Sequence, residues 1–107
     1  MSNLREMAPR YVRQYRRARD PLRAPYDPDT GMEVVAALCN RDALLAIPEV
    51  QAELAEEDVA FAEALFKSSD EWRAELFASA RGCRFASSPW WRAIEARSRE
   101  LRSAKAV

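Results

Sequence analysis

A chain of 107 residues, 49% apolar, with only two Gly and six Pro, fits a single folded domain and is too poor in glycine for the tight turns of an all-β fold. Seventeen basic residues balance 17 acidic ones, and there is no histidine, which excludes an imidazole base, a Ser–His or Cys–His nucleophile pair and any His-containing zinc site. The zero charge is a sum of unlike segments. Residues 1–24 carry seven Arg against Glu6 and Asp20, or +5; residues 25–71 carry twelve acids against Arg41 and Lys67, or −10; residues 72–107 carry eight bases against Glu75, Glu95 and Glu100, or +5. Such a pattern either neutralises itself within the fold or presents separate patches to partners.

Taken along the chain, the periodicity is helical. Leu4, Ala8, Tyr11, Tyr15, Ala18 and Leu22 recur at spacings of three and four. Pro9 suits a first helical turn and Pro21 a stop, so the first helix is expected over about 9–20, with 1–8 frayed. "PLRAPYDPD" reads as an extended connector. Thr30 and Glu33 have capping-box spacing and open a second helix with Val34, Val35, Leu38 and Cys39 on its buried side. Asn40 or Asp42 is a point of interruption, after which "NRDALLA" forms a separate short helix if the break is real. Pro48 opens a third helix with Val50, Leu54, Phe61 and Leu65 on one face. Asp58 falls inside that apolar stripe, either as an N-cap that splits the segment or as a polar interruption at a partner surface. Ser68 and Glu71 cap a fourth helix lined by Trp72, Leu76, Ala80 and Cys83, with Phe77 beside them and Gly82 as a left-handed C-terminal cap. Ser88 and Pro89 open the last helix, whose apolar side is Trp90, Trp91, Ile94 and Leu101, with 103–107 disordered. The sum is an all-α fold: a compact single-domain bundle of about five helices joined by short Pro/Ser-capped loops.

Three features bear on function. The first is the arginine-rich opening helix. At about 100° per residue, Tyr11, Tyr15, Ala18 and Leu22 fall on one arc, while Arg10, Arg13, Arg16, Arg17 and Arg19 occupy the rest. The tyrosines therefore face the core and do not form a stacking platform among the arginines, as single-strand binding requires. What remains is a cationic face for a phosphate backbone, an acidic protein or the chain's own acidic middle. The second is that middle, "PEVQAELAEEDVAFAE", whose Glu49, Glu53, Glu56, Glu57 and Glu63 lie off the apolar stripe. They are expected as a solvated face, part of which pairs with arginines of the first or last helix. The third is Trp90–Trp91. Neighbours on a helix point about 100° apart. Either both pack inside beneath another helix or loop, or one stays partly exposed and anchors a partner.

Other chemistry is poorly served. "YDPDTG" has two aspartates spaced like the start of a calcium loop, but Gly31, Met32 and Leu38 stand where an EF-hand needs a ligand, a Gly and an acid, so a turn with an N-cap is expected. There is no Gly-rich phosphate loop. Two isolated cysteines build no four-cysteine metal site, and no cofactor or metal ligand set is apparent. Carboxylate catalysis requires Asp42 or Asp58 in a pocket beside another titratable group. The longest apolar run, "VVAALC", is too short to span a bilayer, and no leader-like segment opens the chain, so a reduced, cytoplasmic setting is expected. Fifteen Arg against two Lys, with twenty Ala, fits a GC-rich bacterial or phage coding background.

The sequence thus leads to a non-enzymatic, small helical binding protein: an adaptor, an inhibitor or a subunit of a larger assembly, taking another protein or a second copy of itself. Its candidate anchors are Trp90, Trp91 and Asp58. The alternative is a nucleic-acid or nucleoprotein accessory factor using Arg10, Arg13, Arg16 and Arg17 with Arg97, Arg99 and Arg102.

Overall fold

The computed structural model describes residues 3–106. It is all-α: α1 Leu4–Arg17, α2 Pro28–Ala43, α3 Gln51–Lys67, α4 Asp70–Ala80 and α5 Pro89–Ala106, joined by short 3-10 turns at Asp20–Arg23, Leu44–Ala46, Pro48–Val50 and Arg84–Ser87. α1 lies against α2 and α3, α2 also packs on α4, and α3 packs along α5. One core runs between them, from Val12, Tyr15 and Leu22 through Leu38, Leu54, Phe61 and Leu65 to Trp72, Phe85, Trp91 and Ile94.

Several boundaries differ from the sequence expectation, each for a local reason. α1 begins at Leu4, so residues 4–8 are helical rather than frayed, and Pro9 lies inside the helix. Pro9 gives up one backbone hydrogen bond, and Ala8 and Val12, both buried, hold that turn against the core. α2 starts two residues before Thr30. Asp27 is its N-cap, accepting from the Thr30 N–H at 3.3 Å and the Thr30 hydroxyl at 2.8 Å, with Pro28 in the first turn. "YDPDTG" is thus a turn with an N-cap. The helix passes Asn40 and Asp42 without a break.

α3 is also unbroken at Asp58. Ser69, not Ser68, caps α4, accepting from the Trp72 N–H at 3.1 Å, while the Ser68 hydroxyl donates to the Leu65 carbonyl at 2.6 Å and closes α3. Gly82 is not a left-handed cap: among the described residues none has positive φ. Pro89 does open α5, but the Ser88 hydroxyl donates across the core to Asp42 instead of capping its own helix. α5 runs to Ala106, so residues 103–106 are helical; residues 1, 2 and 107, part of the termini expected to be loose, lie outside the described residues.

Candidate functional site

Arg41 is the centre of the molecule's polar interior. On α2 it follows Val34 and Leu38 at spacings of four and three, so it is carried on the apolar stripe and is 3% exposed. A buried guanidinium requires a partner, and α3 supplies it in Asp58. Arg41 Nε donates to Asp58 Oδ1 at 3.1 Å and Nη2 to Oδ2 at 2.7 Å, a two-pronged pair. The Tyr15 hydroxyl, from α1, donates to the same Oδ1 at 2.6 Å. Burial first, then the Asp58 carboxylate, push the Tyr15 hydroxyl far above its ordinary range, so it keeps its proton and remains a donor. The Arg41 guanidinium also lies 4.4 Å from the centroid of the Trp90 ring.

α5 is tied in through Asp42, whose Oδ1 accepts from Trp90 Nε1 at 2.8 Å and from the Ser88 hydroxyl at 2.6 Å. Phe85 stacks on Trp90 at 5.7 Å and meets Trp91 edge-on at 5.2 Å. Adjacent residues of α2, Arg41 and Asp42, therefore fix both the charge and the indole that face α3 and α5.

These contacts bear on the alternatives left open for Asp58 and for the two tryptophans, and both tryptophans pack inside as the first alternative had it. Asp58 is neither an N-cap nor a simple surface interruption; its side chain is 17% exposed and turned into an ion pair. Trp90 and Trp91 are both interior, at 8% and 0% exposure, because Phe85 and its turn cover the start of α5; neither ring is presented as an exposed anchor.

The structure does bring Asp58 and Trp90 together with Arg97. The three line a groove of about 210 Å3 between α3 and α5, with Val59 and Ala62 on one side and Ala93 and Ile94 on the other. Val59 is 54% exposed. Chemically this is a largely apolar slot whose lining includes a fixed carboxylate and an arginine. Both Asp58 oxygens are held by donors, and the Tyr15 proton is retained.

The arginines fall into separate settings. Arg16 pairs with Glu57 through Nε and with Glu53 through Nη2 at 2.9 Å, Arg19 reaches Glu57 at 3.1 Å, and Arg5 reaches Glu49 at 2.6 Å. The basic face of α1 thus covers part of the acidic face of α3, and Glu57 is buried beneath it rather than solvated. Arg17 sits in a cleft with Glu33 and Gln14, while Arg10 and Arg13 are exposed; among the described residues these three make no ion pair. On α5, Arg97 pairs with Glu100 at 3.6 Å and Arg99 with Glu95 at 3.2 Å, and Arg102 reaches Asp70 of α4 at 3.7 Å. Arg99 and Arg102 line a second cleft with Arg73, Phe77 and Ser98.

Arg41 itself escaped the sequence reading. Its signal was present: it is one of two bases in a segment with twelve acids, and it falls in register with Val34 and Leu38. Among the described residues no cluster of three or more ligating side chains suits a metal ion, and no helix is long and apolar enough to cross a membrane.

Comparison with protein-family models, with curated proteins and with solved structures found no match. The fold and groove stand on their own geometry.

Proposed function

We propose that the protein is a small helical binding protein that receives one apolar side chain of a protein partner in the groove between α3 and α5. The observation behind this reading is the groove itself: apolar walls, an exposed Val59, and opposite charges, Asp58 and Arg97, in its lining. At about 210 Å3 it falls below the roughly 300–1,000 Å3 of pockets that enclose a small molecule, and suits a single Leu-sized or aromatic side chain. An apolar centre with a charged rim is the anatomy of a protein interface. The Arg41–Asp58 pair and the Asp42–Trp90 hydrogen bond hold two of the lining side chains in place, so binding orders little. Trp90 serves in this reading as part of a pocket's lining, not as a projecting anchor.

The test is retention of a partner at low salt by the wild-type chain and by Val59→Glu, with light scattering across a concentration series to detect self-association. The reading expects a partner, or a second copy, that the wild-type chain retains and Val59→Glu loses. A strict monomer that retains nothing, or a partner held equally by both, overturns it.

A second reading, a nucleic-acid accessory factor, is favoured by one observation: Arg10, Arg13 and Arg17 are exposed on α1 and make no ion pair among the described residues. It expects a gel shift of mixed DNA or RNA at low salt that weakens steeply as salt rises, because each phosphate contact releases counterions. No shift at micromolar protein ends it.

A further inference from the structure

α4 packs on α2 and α3, and α5 packs along α3. Between α4 and α5 lies a cleft of about 720 Å3. The two helices run antiparallel beside it: Asp70 and Arg102 meet at one end, and the Phe77 and Trp91 rings stand 6.1 Å apart at the other. Asp70, Arg73, Ala74 and Phe77 line the cleft from α4, where spacings of three and four put them on one face. Ser98, Arg99, Arg102 and Ser103 line it from α5.

The charge of this lining is one-sided: three arginines against one aspartate leave +2. The aspartate is already engaged. Asp70 pairs with Arg73 Nη2, while Arg102 stands 3.7 Å from it, beyond hydrogen-bond range. Arg99 holds Glu95 through Nη2 alone, at 3.2 Å. A guanidinium carries five N–H donors, so among the described residues most of the donors on Arg99 and Arg102 meet no acceptor. Both side chains are at least half exposed, and exposed pairs contribute little, so both groups are free to turn to a stronger anion. Arg73 differs. It is 9% exposed and fixed by the carbonyls at the end of α3, and its Nε–H meets no acceptor among the described residues. It is a permanent positive charge in the lining. Ser103 adds a hydroxyl, whereas that of Ser98 is committed to the Glu95 carbonyl at 3.2 Å. Ala74 and Phe77 add an apolar surface next to the charge.

We propose that the α4–α5 cleft is a binding site for a phosphomonoester with a small aromatic or apolar body. The phosphate is a dianion with three terminal oxygens, which matches the surplus charge and lets Arg99 and Arg102 each donate through two nitrogens. A carboxylate, with one charge and two oxygens, satisfies a single guanidinium. The body of the ligand lies along Phe77 and Ala74. At about 720 Å3 the cleft falls within the roughly 300–1,000 Å3 of small-molecule pockets, unlike the α3–α5 groove.

The experiment titrates the isotope-labelled full-length chain with phenyl phosphate, inorganic phosphate and benzoate in turn, following amide shifts by two-dimensional NMR. About 150 mM chloride is present throughout to screen non-specific attraction between exposed charges. The proposal expects saturable shifts centred on Ala74, Phe77, Arg99 and Ser103, with phenyl phosphate bound more tightly than either inorganic phosphate or benzoate. Arg99→Gln and Arg102→Gln each weaken phenyl phosphate about tenfold. Asp70→Asn, which removes the one carboxylate of the lining, tightens it. Phe77→Leu removes its advantage over inorganic phosphate. The spectrum of each free variant reports its folding, so a lost fold is told apart from a lost site. Shifts that do not saturate by about 10 mM, that centre on Arg10, Arg13 and Arg17, or that persist unchanged in both arginine variants overturn the proposal. So does a single-stranded oligonucleotide that binds these residues more tightly than phenyl phosphate, which would make the cleft part of a nucleic-acid surface. None of these outcomes depends on what the α3–α5 groove binds.

Discussion

At the scale of single residues, Asp58 is tolerated in the apolar stripe of α3 because Arg41 and Tyr15 meet it from two other helices. A buried pair contributes less to stability than the loss of one partner costs, since the survivor is left desolvated and unpaired. Asp58→Ala is therefore expected to destabilise the protein by about 3–5 kcal/mol. The double variant Arg41→Met with Asp58→Ala should be less destabilised than the sum of the two single changes, measured by urea unfolding in a double-mutant cycle. Additivity would show that the pair is not coupled.

Tyr15 gives a pH signature. In the unfolded chain its hydroxyl titrates near 10.0, whereas burial and the Asp58 carboxylate keep it protonated in the fold well beyond that. Below pH 10 both states hold the proton and Tyr15 contributes no slope. Above it the folded state binds more protons, so stability falls as pH rises, by about 1.4 kcal/mol per pH unit from this group. Urea midpoints at pH 9, 10 and 11 should show the fall in the wild-type chain and a shallower one in Tyr15→Phe. Tyr26, shifted upward mainly by its own partial burial, acts in the same direction, and Tyr26→Phe is the matching control.

At the scale of elements, the helix ends show how little separates a correct cap from its neighbour. Asp27 and Thr30, like Thr30 and Glu33, have the right spacing; Pro28, which can only occupy a first turn, decides for Asp27. Of the adjacent serines, Ser68 closes α3 and Ser69 opens α4. Arg73 completes that corner. It is buried, and its Nη1 donates to the Ser68 carbonyl, to Phe66 at 3.0 Å and more weakly to Leu65 at 3.4 Å, while Nη2 pairs with Asp70. One side chain of α4 thereby satisfies the carbonyls that α3 leaves open at its end. Replacing it by Met keeps much of the volume and removes the donors. Arg73→Met should cost about 1.5–3 kcal/mol, the range for hydrogen bonds to a charged group, and hydrogen exchange should show fraying confined to the last turn of α3.

At the scale of the whole molecule, the basic–acidic–basic charge pattern is spent partly inside the fold. Arg5, Arg16 and Arg19 lie on Glu49, Glu53 and Glu57, and Arg97, Arg99 and Arg102 of α5 pair with carboxylates of α5 and α4. The cationic surface left on α1 is Arg10, Arg13 and Arg17. The α3–α5 groove is a separate feature, exposed and apolar, and Val59 contributes little to the core beneath it. Val59→Glu should leave stability within about 0.5 kcal/mol of wild type, as surface changes usually do, so a loss of partner retention would report on the groove and not on the fold.

What the sequence determined by itself is what short-range order encodes. Spacings of three and four set five helices, Pro and Ser marked their junctions to within a few residues, and the segmental charges anticipated that part of α1 would pair with α3. The tertiary structure alone decided which polar residues the core accepts. Arg41, Glu57 and Asp58 lie on buried stripes because partners arrive from other helices, and nothing local to α2 or α3 names those partners. It also decided that Trp90 and Trp91 are both interior, since Phe85 and its turn fold back over them. Periodicity fixes the face on which a side chain lies; what that face meets depends on how the helices pack, and so does the groove between α3 and α5.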